Sequence, residues 1–211
     1  MSSLPNQSGS EQLTASIGME WDDLSAEGKI QWLLNNAVDT KWGWVVYRSC
    51  YKPEFDTARE SVKSFTEKTA RQRVATSDAP SSAEKMDWVF VEDRGNLDGA
   101  SREELKRRFR DWARAENPGW NIDEEKYGRG SRHTFFIQVD EPALRSIATG
   151  NGHPYVNIVR GWEDAVIAED AEVGDSEDWI KIQTDSLNLS FYVELDNDEA
   201  WYTFYSPPEG E

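Results

Sequence analysis

The segment Trp42-Gly43-Trp44-Val45-Val46-Tyr47-Arg48-Ser49-Cys50-Tyr51 restricts the fold more than any other part of the chain. Aromatic and β-branched residues dominate it, so it reads as a strand that Pro53 ends. In a strand, alternate residues face opposite sides. Trp42, Trp44, Val46, Arg48 and Cys50 then share one face, and Val45, Tyr47, Ser49 and Tyr51 share the other. Both faces are largely apolar, so the strand should be central and covered on both sides.

The rest of the chain mixes helical and strand patterns. Ile30, Leu33, Leu34 and Ala37 recur at helical spacing behind Ser25, a suitable N-cap, predicting a helix from about Ser25 to Ala37. Asp56 is placed to cap a helix carrying Ala58, Val62 and Phe65. The stretch 76–84, TSDAPSSAE, reads as a mobile loop. Trp88–Val91 is a second strand. Ser101-x-x-Glu104 has the form of a capping box ahead of Leu105, Phe109 and Trp112, and Asn117-Pro118-Gly119 stops that helix. Thr134–Val139 is a third strand, and Asp140 caps a short helix that tolerates Pro142 in its first turn. Tyr155–Arg160 and Trp179–Gln183 are a fourth and fifth strand. Alternation in Phe191, Val193 and Leu195, and the aromatic run Trp201–Tyr205, predict further strands at the end. The expected fold class is α+β: a mainly antiparallel sheet with helices packed on one face, a ferredoxin-like (split βαβ) core and extra C-terminal strands. The expected organisation is a disordered tail over 1–18, a single domain over 19–206 and a short tail over 207–211.

Several segments in this order resemble one family. They are Trp42-Gly43-Trp44-Val45-Val46-Tyr47-Arg48 with Tyr51, Pro53 and Asp56; Leu97-Asp98-Gly99-Ala100-Ser101 leading to Leu105, Phe109 and Trp112; and Val139–Ser146 leading into Tyr155–Val159. Over roughly residues 40–165 the chain resembles a family of uncharacterised cytosolic proteins of filamentous fungi. The resemblance implies a fungal, cytoplasmic α+β protein. It supplies no activity and no catalytic residues.

Charge excludes some partners. The 211 residues hold 40 acidic and 23 basic side chains, a net charge of −17. Such a chain repels nucleic acid and anionic lipid at long range. The cluster Arg102, Lys106, Arg107, Arg108, Arg110 and Arg114 is offset by Glu103, Glu104 and Asp111, and reads as a solvated helix face. From Gly161 to Glu211 there are 15 acids against Lys181 alone. No apolar run is long enough to span a membrane, and the start of the sequence has neither a basic nor an apolar leader region. Nucleic-acid and membrane partners are therefore not expected, and a cytoplasmic address is.

Chemistry-bearing motifs are sparse. One cysteine allows no internal disulfide. His133, His153 and Cys50 cannot supply four zinc ligands, and no phosphate-binding glycine motif or nucleophile elbow is present. No metal and no cofactor are expected. Arg48, in a line of Trp, Val and Cys, must pair with an acid, stack on a ring or reach water. It is the candidate anion anchor of a ligand site shared with Trp44 and Tyr51. Tyr47 and His133 are the candidate catalytic acid/base residues. Of the ten tryptophans, Trp120, Trp162 and Trp201 lie in polar contexts and are expected at the surface. Two readings stay open. One is a small-molecule- or protein-binding module without catalysis. The other is a small cofactor-independent enzyme or accessory factor of fungal specialised metabolism. Either a monomer or a homodimer suits the sequence.

Overall fold

The computed structural model describes residues 23–36, 40–77, 79–118, 130–150, 153–162, 178–195 and 198–204. The predicted tails, Trp120 and the acidic stretch 163–177 lie outside these residues.

The first helix, α1 (Ala26–Asn36), starts where Ser25 accepts the Gly28 N–H at 3.1 Å. Strand β1 (Val45–Arg48) is followed by a 3-10 turn (Pro53–Phe55) and α2 (Asp56–Ser64). That helix runs without a break into a π-helical segment (Phe65–Ala70) and α3 (Arg71–Ala75). Next come β2 (Val89–Val91), the single turn α4 (Arg94–Leu97) and the long helix α5 (Arg102–Glu116). A helical turn, α6 (Ser131–Thr134), leads into β3 (Phe135–Val139), α7 (Glu141–Thr149) and β4 (Tyr155–Arg160). Strand β5 (Trp179–Gln183), α8 (Leu189–Glu194) and α9 (Asp198–Phe204) complete the described chain.

The five strands form one sheet in the order β2-β1-β3-β4-β5. β1 runs parallel to both β2 and β3, while β3–β4 and β4–β5 are antiparallel. The antiparallel ladders register four and five residue pairs, the parallel ones three and four. The α+β class thus holds, with two corrections. A split βαβ core would place another strand between β1 and its parallel partner, whereas β1 lies directly between β2 and β3. Nor are helices confined to one face. Val46 and Cys50 of the β1 segment join a large core with Ala58, Ala70, Val74 and Leu144. Val45 and Tyr47 join a smaller core with Leu105 and Phe109 of α5. The chain travels one way from β1 to β2 and back past β1 to β3. Connections of one hand travelled in opposite directions put their helices on opposite faces.

β1 is as predicted, an interior strand buried on both faces, although regular pairing covers only four residues. Trp42 adds an isolated bridge to Met86. The capping box is half formed. Ser101 Oγ accepts from the Glu104 N–H at 3.2 Å, while the Glu104 carboxylate turns to Arg107 and Arg108. Those two guanidinium groups hold its carboxyl down at about 2, the Arg107 hydrogen bond contributing most. Asp140 caps α7 through the Ala143 N–H at 3.0 Å, as expected. Asp56 does not cap α2. It is the first helical residue, with Phe55 at the N-cap position, and its carboxylate is directed to Arg48. Nor is 76–84 a plain loop. Pro80–Ala83 forms a 3-10 turn whose Ser82 and Ala83 are buried, because Trp42 Nε1 donates to Ser82 O at 2.7 Å.

The C-terminal strands are not formed among the described residues. Their segments are α8 and α9 instead. Asn188 Oδ1 accepts from the Phe191 N–H at 3.1 Å and starts α8. Phe191, Tyr192 and Val193 are all buried. A short helix with most of its residues apolar and buried imitates a strand pattern. Trp201, expected at the surface, is fully buried and stacks on Phe135 at 5.5 Å. Trp162 is half-buried, and its Nε1 donates to His133 O at 2.6 Å.

Arg132 ties the parallel edge together. Its guanidinium donates to the carbonyls of Gly43 (3.1 Å) and Asp87 (2.6 Å) and to Asp87 Oδ2 (2.8 Å). Gly43 has φ +116°, and a Cβ there would lie 2.7 Å from Asp87 O. The clamp therefore requires glycine. Partial burial raises the Asp87 pKa, but a hydrogen bond from Lys41 and the charge of Arg132 outweigh it and hold the carboxyl below its ordinary value. A carboxylate with a depressed folded-state pKa contributes stability above its unfolded value near about 4, and that stability is lost as pH falls through the folded value. Acid titration of urea stability should accordingly show a loss beginning near about pH 4. Asp87→Asn should be less stable at neutral pH and flatter across that range. An unchanged acid limb in the variant would remove Asp87 from the account.

Candidate functional site

At the carboxyl end of β1, Arg48 is 8% exposed. Its Nε donates to Cys50 O at 2.6 Å and its Nη2 to Asp56 Oδ1 at 2.7 Å. The guanidinium carbon sits 4.6 Å from the Tyr51 ring centroid. Tyr51 is fixed in turn. Its N–H donates to Asp98 Oδ1 at 3.1 Å, and its hydroxyl accepts the Asp93 N–H at 2.9 Å. Burial pushes the Tyr51 hydroxyl up from its ordinary value. Arg48 and Tyr51, expected on opposite faces of the strand, thus meet, in an arrangement that already satisfies the cation. Asp56 is 63% exposed. An ion pair so open to solvent is worth under about 1 kcal/mol. Asp56→Asn should lower stability by no more than that in urea unfolding; a larger loss would show a stronger role for the pair.

The other candidates are scattered. Trp44 is buried in the large core against Tyr192 at 4.9 Å and Trp88 at 5.4 Å. Tyr47 lies in the smaller core, edge-on to Phe136 at 5.4 Å. Burial raises its hydroxyl far above the usual tyrosine range, with Arg108 opposing only in part, so it stays protonated. His133 does not sit at an exposed strand start. It is 3% exposed, in the turn α6, with its ring stacked on Trp112 at 5.5 Å. The turn is drawn inward because Ser131 Oγ donates to Tyr192 O at 2.6 Å and Arg132 enters the clamp beside it. Nucleophile, base and anion anchor are therefore not assembled from these residues. Among the described residues no group of three His, Cys, Asp or Glu is placed to hold a metal ion, and no helix is long and apolar enough to cross a membrane.

Sequence reading missed two features. The first is a polar layer between α5 and the sheet. Lys106 and Asp178, both almost fully buried, pair at 2.5 Å. One turn earlier, Arg102 Nε donates to Gln138 Oε1 at 3.1 Å, and its guanidinium lies over Trp179 at 4.0 Å. Gln138 Nε2 donates to Ser49 Oγ at 3.3 Å, and Asn157 Nδ2 donates to Asp140 Oδ2 at 2.9 Å.

The second is a cavity of about 210 Å³ on the outer side of the large core. Its walls come from α1 (Glu27), the π-helical segment (Phe65, Thr69, Ala70), α3 (Arg73, Val74) and the start of α8 (Leu187–Ser190). Phe65, Ala70, Val74, Leu187 and Leu189 give the apolar part of its lining, and Glu27, Thr69, Arg73, Asn188 and Ser190 the polar part. A π-helical stretch shifts the side chains beyond it around the helix axis, and such stretches recur at functional sites. Here Thr66 is buried away from the cavity while Phe65, Thr69 and Ala70 line it. None of Tyr47, Arg48, Trp44, Tyr51 or His133 lines it. A π-helix has no readable sequence signature, and the α8 wall was hidden by its strand-like pattern. Compared with known proteins, the chain matches no family model, no curated protein and no solved structure.

Proposed function

We propose that this protein is a binding module without catalysis and that it takes a small, mainly apolar ligand into the cavity between α1, the π-helical segment and α8. The cavity itself carries this reading. Five apolar and five polar side chains line it and one wall is π-helical, and small-ligand sites combine apolar walls with a few polar groups. Its volume of about 210 Å³ exceeds the roughly 150 Å³ that suffices for benzene. It falls short of the roughly 300–1,000 Å³ typical of drug-sized ligands and cofactors. What supports binding over an enzymatic role is the position of the other candidates. Arg48 is held by Asp56 and Tyr51, and Tyr47 and His133 lie in packed cores away from the cavity. The fungal, cytoplasmic setting that the resemblance implies belongs to the same proposal.

Native mass spectrometry of the full chain purified gently tests the reading. A retained mass of small-molecule size, lost when Thr69→Trp fills the cavity and kept in Asp56→Asn, is the expected result. If Thr69→Trp folds and retains the same mass, the ligand sits elsewhere. If the wild-type chain carries nothing and no small apolar compound stabilises it against heat, the reading fails. The same spectrum separates monomer from homodimer.

A further inference from the structure

From the rim charges of this cavity we infer that its ligand is a free α-amino acid with an apolar side chain, an inference that rests on the binding reading above. Three observations carry it. Glu27 and Arg73 line the same cavity from different helices and bear opposite charges. Neither makes an ion pair with a described residue, whereas most guanidinium groups elsewhere in the chain are paired or hydrogen-bonded. In the same lining, Asn188 spends its side-chain oxygen on capping α8, leaving its amide N–H groups for another acceptor, and Thr69 and Ser190 add hydroxyls.

Phe65, Ala70, Val74, Leu187 and Leu189 supply the apolar part of the lining, and the volume sets the size. A space somewhat larger than a benzene site admits one branched or aromatic side chain plus the few atoms of an amino-acid backbone. A zwitterion brings one ammonium and one carboxylate held a fixed short distance apart. The guanidinium of Arg73 offers a forked set of donors to the carboxylate, and the Glu27 carboxylate accepts from the ammonium. Arg73 is exposed and Glu27 partly exposed, so water serves both when no ligand is bound; a zwitterion is the ligand that gives each of them a partner of opposite charge.

Calorimetric titration of the full chain with L-leucine and L-phenylalanine tests this, alongside leucinol, which lacks the carboxylate, and N-acetyl-leucine, which lacks the ammonium. The amino acids should bind, and each analogue should bind about tenfold or more weakly, the usual scale for a charged hydrogen bond. Arg73→Gln should abolish the preference for leucine over leucinol while keeping the preference over N-acetyl-leucine. Glu27→Gln should do the reverse. Both positions are at the surface of helices, and circular dichroism confirms that the variants fold. If leucinol, N-acetyl-leucine and indole bind as tightly as leucine, the cavity binds apolar groups and the zwitterion inference is overturned alone. If none of these probes binds, the inference falls and the binding reading falls back on the mass-spectrometric result. Amino-acid binding that survives Thr69→Trp unchanged would also overturn the inference, because the site would lie outside the cavity.

Discussion

Lys106→Met is expected to cost about 3–5 kcal/mol of stability, the usual penalty for removing one partner of a buried ion pair. Lys106 is fully buried on the sheet-facing side of α5, and Asp178, 3% exposed, leads into β5. The pair closes at 2.5 Å. Glu103 also accepts from Lys106, at 2.8 Å, but it is 60% exposed and adds little. Asp178 Oδ1 already lacks a hydrogen-bond partner. Without the lysine, both carboxylate oxygens would be buried and unpaired, which is the expensive situation. Restoring charge balance should undo most of the loss. The double variant Lys106→Met/Asp178→Leu is expected within about 1–2 kcal/mol of the wild type, or more stable, since apolar replacement of a buried pair is often neutral or favourable. Urea unfolding of the two single variants and the double variant decides the matter. Near-additive single effects would mean that the two charges do not depend on each other.

Gly161→Ala should cost about 3 kcal/mol, at the upper end of what overpacking a core produces. A Cβ at Gly161 would lie 2.2 and 2.3 Å from two atoms of the Phe109 ring. That ring has nowhere to go: it is fully buried, stacked on Trp112 at 5.7 Å and packed on Phe136 at 5.2 Å. The backbone at 161 is also tied, with its N–H donating to Thr134 O at 2.9 Å and its carbonyl accepting from Arg110 Nε at 2.7 Å. The contact between α5 and the end of β4 therefore depends on a missing side chain. Phe109→Leu in the same chain should recover part of the loss, because the smaller side chain makes room. In a double-mutant cycle the two changes should couple by at least about 1 kcal/mol. Independent effects would place the clash elsewhere.

Both predictions rest on residues whose importance is invisible along the chain. Lys106 reads as one more cation in a charged helix, and no sequence pattern singles out Gly161. The readings that held are those in which local chemistry is decisive. Ser101 and Asp140 cap their helices because the side-chain oxygen and the N–H it satisfies are three residues apart. The aromatic segment at 42–51 is buried on both faces because alternation needs no knowledge of the partner strands. The requirement that Arg48 pair with an acid or stack on a ring is met too, by Asp56 and Tyr51, because the chain turns back on itself at Pro53.

The failures share a different cause. Phe191, Val193, Leu195 and Trp201 carry a composition that suits strands, yet Asn188 and the surrounding core make helices of them. Asp56 follows Phe55 in an arrangement that looks like a cap, but the nearby guanidinium of Arg48 takes its carboxylate. The cavity needs three elements far apart in sequence, one of them π-helical, and no single segment signals it. What the sequence determined by itself is the set of local decisions: a strand within each of the segments 42–51, 88–91, 134–139, 155–160 and 179–183, and the helices whose caps lie within one turn. The tertiary structure alone decided the sheet order, the helices on both faces, the Lys106–Asp178 pair and the cavity. Each of these is a contact between residues tens of positions apart, and its free energy exists only once the chain has closed around it.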